Sequence, residues 1–409
     1  MNVYDKNFKF HRRLFLSGMA ATAASLAFAP LRSQAYTETL DFGNGTRELL
    51  AYPQKRPLML ITARPPHLET PFSVFNEGAL TPNDAFFVRY HLPNFPTSID
   101  AGQHRLKITG LVNKPLSLSL QELKALGEPV EIVAVNQCAG NSRGFSSPRV
   151  FGAQLGNGSM GNARWTGIPL KTVLGHAGVR GGAKQVTLRG LDRPVLPGTP
   201  EFVKAIDIDL ALSAGPLIAW AMNGTDIPFL NGYPIKLVIP GYFGSYWVKH
   251  LSEINVIDHE FDGYFMKSAY RLPDNDCQCV SAGTIPDKTR PIAQLKVRSF
   301  ITNLHSGETV RAGHTISLQG IAFDSGSGIS SVEISDDGGQ HWQAARLGKD
   351  LGNYSFREWC TAWKPQTPGK AELQVRARNR LGEGQPAVSL WNPGGYAHNS
   401  IETLSILVV

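Results

Sequence analysis

The sequence predicts an α+β region built on mixed sheets, followed by an all-β region, and three observations carry that expectation. Helical and strand patterns alternate as far as about residue 288. Beyond Thr289 helical periodicity disappears, and short alternating strands recur between Gly, Asp and Asn turns. The chain's 409 residues also exceed what one ordinary core accommodates, so two domains are expected.

Residues 1–35 read as a leader. Lys6, Lys9, Arg12 and Arg13 make a positive start, Leu14 to Leu31 is apolar and Ala-rich, and Ser33-Gln34-Ala35 offers a small-residue cleavage site. The stretch His11-Arg12-Arg13-Leu14-Phe15-Leu16-Ser17 resembles the twin-arginine export consensus, departing from it at His11 and Ser17. That route carries folded proteins, so a periplasmic product is expected. The rival, an uncleaved membrane anchor, needs about 20 apolar residues; Ser17, Gly18, Thr22 and Ser25 interrupt this run. No membrane anchor is expected after cleavage.

Residues 36–70 are Pro-rich and irregular, which suggests an extended arm. In the first domain, 71–288, regular structure is expected to begin at the strand His104 to Gly110. Ser119-Leu120-Gln121-Glu122 is a capping box for a short helix ending at Gly127. The strand Val130 to Val135 follows, then a Gly- and Asn-rich loop between Gly152 and Gly167, a helix over Leu170 to Ala177, and strands at Gln185 to Gly190, Leu217 to Met222, Ile235 to Ile239 and Ser252 to Ile257. In the second domain, 289–409, strands are expected at Ile292 to Phe300, Thr315 to Phe323, Ser331 to Ser335, His341 to Arg346, Tyr354 to Ala362, Ala371 to Arg378 and Thr403 to Val408. About seven strands is the count of an immunoglobulin-like sandwich. Asp336-Asp337-Gly338-Gly339 reads as a hairpin turn, and Trp342, Trp359, Trp363 and Trp391 as core and rim.

Composition excludes several functions. Charged residues are 18% of the chain and the net charge is +7, without a Lys/Arg-rich run, so a nucleic-acid partner is not expected. A modest basic surplus favours anionic substrates or acidic proteins. Gly156-Asn157-Gly158-Ser159-Met160-Gly161 lacks the preceding strand and following helix of a phosphate cradle. The four cysteines include no C-x-x-C-H, so no haem is expected on this chain. Cys277-Gln278-Cys279 lacks further ligands nearby and reads as a loop with incidental thiols; Cys360 reads as packed core.

Cys138 is the residue placed for chemistry. An apolar strand delivers it into the turn Asn136-Gln137-Cys138-Ala139-Gly140-Asn141-Ser142-Arg143-Gly144, with a guanidinium five residues on. Such a thiol can ligate or react, although a lone Cys can equally be inert core. Phe86-Phe87-Val88-Arg89-Tyr90-His91-Leu92-Pro93 similarly leads from apolar residues into a cationic pair.

These two segments recur with Ala163 to Leu170 (A-R-W-T-G-I-P-L), Ala221 to Gly224 (A-M-N-G), Asn231 to Gly244 (N-G-Y-P-I-K-L-V-I-P-G-Y-F-G) and Trp247 to Lys249 (W-V-K) in an order that resembles the sulfite oxidase family of molybdenum enzymes. Within it, the chain is similar to the catalytic subunit of bacterial sulfite:cytochrome c oxidoreductases, the sulfite dehydrogenases. The resemblance implies a sulfite-oxidase-like molybdopterin domain and a so-called dimerisation domain, the latter including Trp391-Asn392-Pro393-Gly394-Gly395-Tyr396. It implies a molybdenum-pyranopterin dithiolene (molybdopterin) with Cys138 as the one protein ligand. Soft thiolate donors suit a redox metal, and an adjacent cation favours the ionised thiol.

Arg89 and Arg143 would form the pocket for the sulfite anion, since guanidinium presents a planar fork to an oxyanion. Tyr270, in Met266-Lys267-Ser268-Ala269-Tyr270-Arg271, matches the family's active-site tyrosine, and His91 would stand beside it. The backbone of Phe87, Val88, Arg89, Tyr90 and His91, together with Trp247, Val248 and Lys249, would contact the pterin. Asn231 and Lys236 fall where animal enzymes carry His and Arg toward the cofactor phosphate, and Asp192 is a further pterin candidate. Electrons would pass to a c-type cytochrome as acceptor or subunit, and a homodimer is one possible assembly. Competing readings are a sulfane dehydrogenase of thiosulfate oxidation and a non-enzymatic immunoglobulin-like binding protein. A protein-methionine-sulfoxide reductase of the same superfamily is disfavoured by the second domain.

Overall fold

The computed structural model describes residues 37–409, so the expected leader and its twin-arginine segment lie outside the described residues. Among those described, no helix is long and apolar enough to cross a membrane. Sheet dominates throughout. Among the described residues the longest α-helix is Leu170–Ala177, with Leu170, Val173, Leu174 and Ala177 turned into the core and Gly178 closing it in a left-handed conformation.

The N-terminal arm is more ordered than its composition suggests. Thr37–Thr39, Thr46–Leu50, Leu58–Thr62, His67–Glu69 and Val88–Arg89 form a five-stranded antiparallel meander. Its prolines fall outside the paired segments, which is how a Pro-rich stretch still builds a ladder. The last pairing sets His67 opposite Arg89.

Two further sheets build the first region. Val203–Asp207, Gln185–Arg189, Glu253–Ile257, Leu106–Gly110 and Leu116–Leu118 lie in that order, with Glu253–Ile257 parallel to Leu106–Gly110 and the other pairings antiparallel. This is the mixed sheet the sequence predicts. In the other, Val130–Gln137 pairs Met160–Pro169, which pairs Leu217–Met222, which in turn pairs Lys236–Val238. The expected loop over 152–167 therefore ends early, because Met160 onward completes a ladder with the strand that carries Cys138. The Ser119 cap and its reciprocal Glu122 contact open the helix Leu120–Lys124 as expected.

After residue 289 two sheets face each other. One orders Arg298–Ile301, Ile316–Phe323, Arg357–Trp363 and Arg346–Leu347; the other orders Thr309–Val310, Glu402–Val408, Gly369–Asn379, Ile329–Ser335 and Gln343–Ala344. Leu318, Val332, Trp359, Trp363, Leu373, Val375 and Ile406 fill the space between them. The edge Thr309–Val310, parallel to Glu402–Val408, was not evident from the sequence, being only two residues long. Cys360 is half-buried beside Arg346 and outside the core. Cys277 and Cys279 are joined to each other and are not incidental free thiols.

A separate cluster ties the two regions together. Phe75, Val135, Ala139, Phe202, Phe243 and Tyr270 pack with Phe300, Ile321, Phe323 and Phe356. Each such ring stabilises by about 1.5–3 kcal/mol when fully buried. Strand end, Cys138 turn and C-terminal sheet are thus held by one contiguous apolar mass.

Candidate active site

Burial along Val130–Gln137 increases toward its C-terminus, where Val133 to Gln137 are all buried, so Cys138 emerges from the interior. The ladder continues into the turn: Cys138 N–H donates to Ser159 O at 2.9 Å, and Asn141 N–H donates to Cys138 O at 3.0 Å. Ser142 adopts φ 69°, a left-handed conformation that turns the chain sharply after the cysteine.

Cys138 opens into a cavity lined by Phe87, Arg89, Tyr90, His91, Asp192, Asn231, Lys236, Trp247, Val248, Lys249 and Tyr270. Val88 is fully buried in the strand between them. Arg143 is not among the lining residues. Its Nε donates to Gly394 O at 2.9 Å, one terminal nitrogen donates to Ala153 O at 3.3 Å, and the guanidinium lies 5.0 Å from the Tyr396 ring centre.

At one wall His91 is stacked on Phe202, centroids 3.6 Å apart, and its Nε2 is 2.6 Å from the Tyr270 hydroxyl. Burial, followed by the charges of Arg89, Lys249 and Lys204, holds the His91 pKa well below its usual value, so the imidazole is neutral. Burial likewise raises the Tyr270 phenol, outweighing the opposing Arg89 charge. The pair is a neutral hydrogen-bonded couple beside a permanent cation.

Lys236 and Lys249 also line the cavity, and Lys55 lies behind it. Lys249 Nζ donates to Arg89 O at 2.5 Å and stands 3.4 Å from the Tyr90 ring centre. Lys236 lies 4.9 Å from the Trp165 ring centre. Lys55, from the N-terminal arm, donates to Phe86 O at 3.0 Å and to Asn231 Oδ1 at 2.5 Å, while Asn231 Nδ2 donates to Phe87 O at 2.9 Å. Burial lowers the pKa of Lys55 and of Lys236 to about 7 and that of Lys249 strongly. Asp192 is raised by burial, with Lys249 opposing. None of the three lysines has an ion pair among the described residues.

Unpaired buried cations are costly, and their convergence signals a polyanionic ligand. Ser245 Oγ and Asn136 Oδ1, on the same cavity wall, are buried with no hydrogen-bond partner among the described residues. Gly244 allows this approach, since a Cβ there would come 2.3 Å from Asn136 Oδ1. No cluster of three His, Cys, Asp or Glu side chains occurs among the described residues, so a metal at Cys138 would need its other donors from a bound group. A phosphate-bearing dithiolene cofactor fits this set, which combines a thiol, buried lysines and polar atoms without partners.

Sequence reasoning did not single out Lys55, Asn136, Phe202, Ser245 or His250. Lys55 sits in Pro53-Gln54-Lys55-Arg56-Pro57, which reads as a surface turn. His250 directly follows the W-V-K motif, a signal that was available; its Nε2 is 2.7 Å from the Tyr90 hydroxyl.

Comparison with known proteins bears on the same residues. The family model described as "Oxidoreductase molybdopterin binding domain" matches residues 91–265, and "Mo-co oxidoreductase dimerisation domain" matches residues 289–407. The chain is 33% identical over 361 residues to sulfite oxidase of Gallus gallus, covering 84% of this chain and 76% of that protein. It is 30% identical over 382 residues to sulfite oxidase of Arabidopsis thaliana, covering 87% and 95%. A solved structure, the sulfane dehydrogenase SoxCD from Paracoccus pantotrophus, superposes with a TM-score of 0.71 at 22% identity, covering 95% of this chain and 93% of that one, a likeness of fold.

Proposed function

The chain belongs to the sulfite oxidase family of molybdenum oxidoreductases, and on that premise we propose that it oxidises sulfite to sulfate in the periplasm and passes the electrons to a c-type cytochrome. The observation that carries this reading is one cavity lined by the Cys138 thiol, the Arg89 cation and two buried lysines, Lys236 and Lys249, with Lys55 behind Asn231 and none of the three in an ion pair among the described residues. A molybdenum–pyranopterin dithiolene bound there would supply the oxygen-atom transfer and the two-electron step.

Cys138 would ligate the metal, and Lys55, Lys236 and Lys249 would neutralise the phosphate end, Lys55 acting through Asn231. Trp247, Val248 and the Phe87 to His91 backbone would line the pterin, with Asp192 at its edge. Arg89 is the residue proposed to capture the anion, its fixed fork orienting two oxygens so that the sulfur lone pair faces inward. Tyr270, kept protonated, donates its hydroxyl hydrogen to a substrate oxygen or shares it with His91 Nε2. The neutral His91 ring, clamped on Phe202, keeps that hydroxyl in place and excludes water. Arg143 adds positive potential from behind Tyr396. The two facing sheets of the C-terminal region are read as an immunoglobulin-like sandwich that supports a homodimer or the cytochrome contact.

Sulfite-dependent reduction of cytochrome c by the purified protein, with thiosulfate and protein-bound sulfane sulfur as parallel donors, tests the assignment. Turnover with sulfite supports it. Turnover confined to the sulfane donors would move the substrate, and none with any donor would remove the activity.

A further inference from the structure

Two tyrosines from different halves of the chain meet at the rim of the Cys138 cavity. Tyr270 follows the short helix Tyr264–Lys267 and lines the cavity. Tyr396 lies in the loop before the last strand, Glu402–Val408. Their rings stack with centroids 5.3 Å apart at 24°. Tyr396 also carries the Arg143 guanidinium 5.0 Å from its ring centre, and it borders an open cleft of about 790 Å³. One aromatic ring therefore holds both a phenol and a cation belonging to the site.

The backbone fixes this contact from several directions. Tyr270 has φ 59° and Ala397 has φ 55°, a left-handed conformation that non-glycine residues keep only where their surroundings impose it. Ala397 N–H donates to Ala139 O at 3.0 Å, which binds the loop to the Cys138 turn itself. The Asn392 side chain closes the loop, donating to Tyr396 O at 2.9 Å and accepting from Tyr396 N–H at 3.0 Å. Space for Arg143 is equally specific. A Cβ on Gly140, Gly152 or Gly395 would come within 2.7, 3.0 or 2.8 Å of its side-chain atoms.

We propose that Tyr396 is a positioning residue by which the C-terminal region completes the anion site, fixing Tyr270 beside an oxyanion held at Arg89 and holding the Arg143 charge in place behind it. This rests on the sulfur-oxyanion reading above. A guanidinium over an aromatic face is held in orientation without losing its charge, and a prearranged cation needs no reorganisation when the anion arrives. An aliphatic side chain could fill the volume but would offer Arg143 no π face.

The experiment compares wild-type holoenzyme with Tyr396→Leu and Tyr396→Phe. Calorimetry with sulfate as probe gives a Kd, steady-state assays give KM and kcat for sulfite, and thermal unfolding gives a midpoint. Tyr396→Leu should weaken sulfate and raise KM by about tenfold, between the exposed and the desolvated sizes of a cation–π contact, with a smaller change in kcat. Tyr396→Phe, which keeps the ring, should restore both. If Tyr396→Leu is recovered unfolded, Tyr396→Met, nearer in shape, replaces it. The proposal is overturned by a leucine variant that binds sulfate as tightly as wild type, by a phenylalanine variant as weak as the leucine one, or by a wild type with no measurable sulfate binding. A wild type that binds sulfate yet never oxidises sulfite defeats the functional reading alone, because the sulfate comparison still reports on Tyr396.

Discussion

Cys138 reaches the cavity because the strand before it becomes fully buried and the turn after it folds back at Ser142. A serine there keeps the shape and removes the soft donor, so Cys138→Ser should abolish turnover while the unfolding midpoint of the apoprotein stays put. Arg89→Gln keeps the length of a hydrogen-bonding arm and deletes the charge. Its KM for sulfite should rise by about ten- to a hundredfold, the span of a charge-assisted hydrogen bond, and an unchanged KM would remove Arg89 from the anion pocket.

The lysines make a pH prediction. Lys55 and Lys236 are depressed to about 7 by burial, so between pH 7 and 10 the unfolded chain binds more protons than the folded one. Stability of the cofactor-free protein should therefore rise with pH across that window and be lost as pH falls toward 7. Lys236→Met should flatten the rise, whereas an anionic ligand that keeps the lysines charged should reverse it. Calorimetric unfolding of the apoprotein from pH 7 to 10 measures this directly.

At the scale of elements, the parts of the site that lie on regular strands were legible and the parts on irregular backbone were less so. Val130–Gln137, Leu170–Ala177 and Leu217–Met222 announce themselves by pattern, and the Ser119 cap by its box. The arm did not, because strands of three to five residues between prolines leave too short a period to read. Lys55 was hidden for that reason: nothing local to Pro53-Gln54-Lys55-Arg56-Pro57 says that its ammonium ends under Asn231. Arg143 was legible as a cation near the thiol, while its true neighbours, Gly394 and Tyr396, are some 250 residues away in sequence.

Element-scale substitutions separate packing from chemistry. Ser119→Ala removes the cap of a helix remote from the cavity and should cost about 1 kcal/mol of stability with KM and kcat intact. Gly244→Ala should behave differently, since its Cβ would press on Asn136 Oδ1 and Gln137 O immediately before the thiol. Reduced metal content in that variant, against full content in Ser119→Ala, is the expected contrast by elemental analysis.

For the whole molecule, the change in periodicity near Thr289 falls between the two family models, which match residues 91–265 and 289–407. How the two regions share one site was beyond any local pattern. The cluster joining Val135, Ala139 and Tyr270 to Phe300, Phe323 and Phe356 brings the C-terminal loop over the Cys138 turn, and only the folded chain reveals it. Light scattering of the purified protein should report a dimer if the C-terminal region self-associates as its family description implies.

The central claim is that Cys138 anchors a molybdenum cofactor whose anionic end lies among Lys55, Lys236 and Lys249. Elemental quantitation of the protein produced in a host that makes the pterin tests it most directly. The account predicts about one molybdenum per chain in the wild type, and in Cys138→Ser no sulfite turnover whatever metal its cofactor still carries. Wild-type protein without molybdenum, or a serine variant that turns over at the wild-type rate, would contradict it.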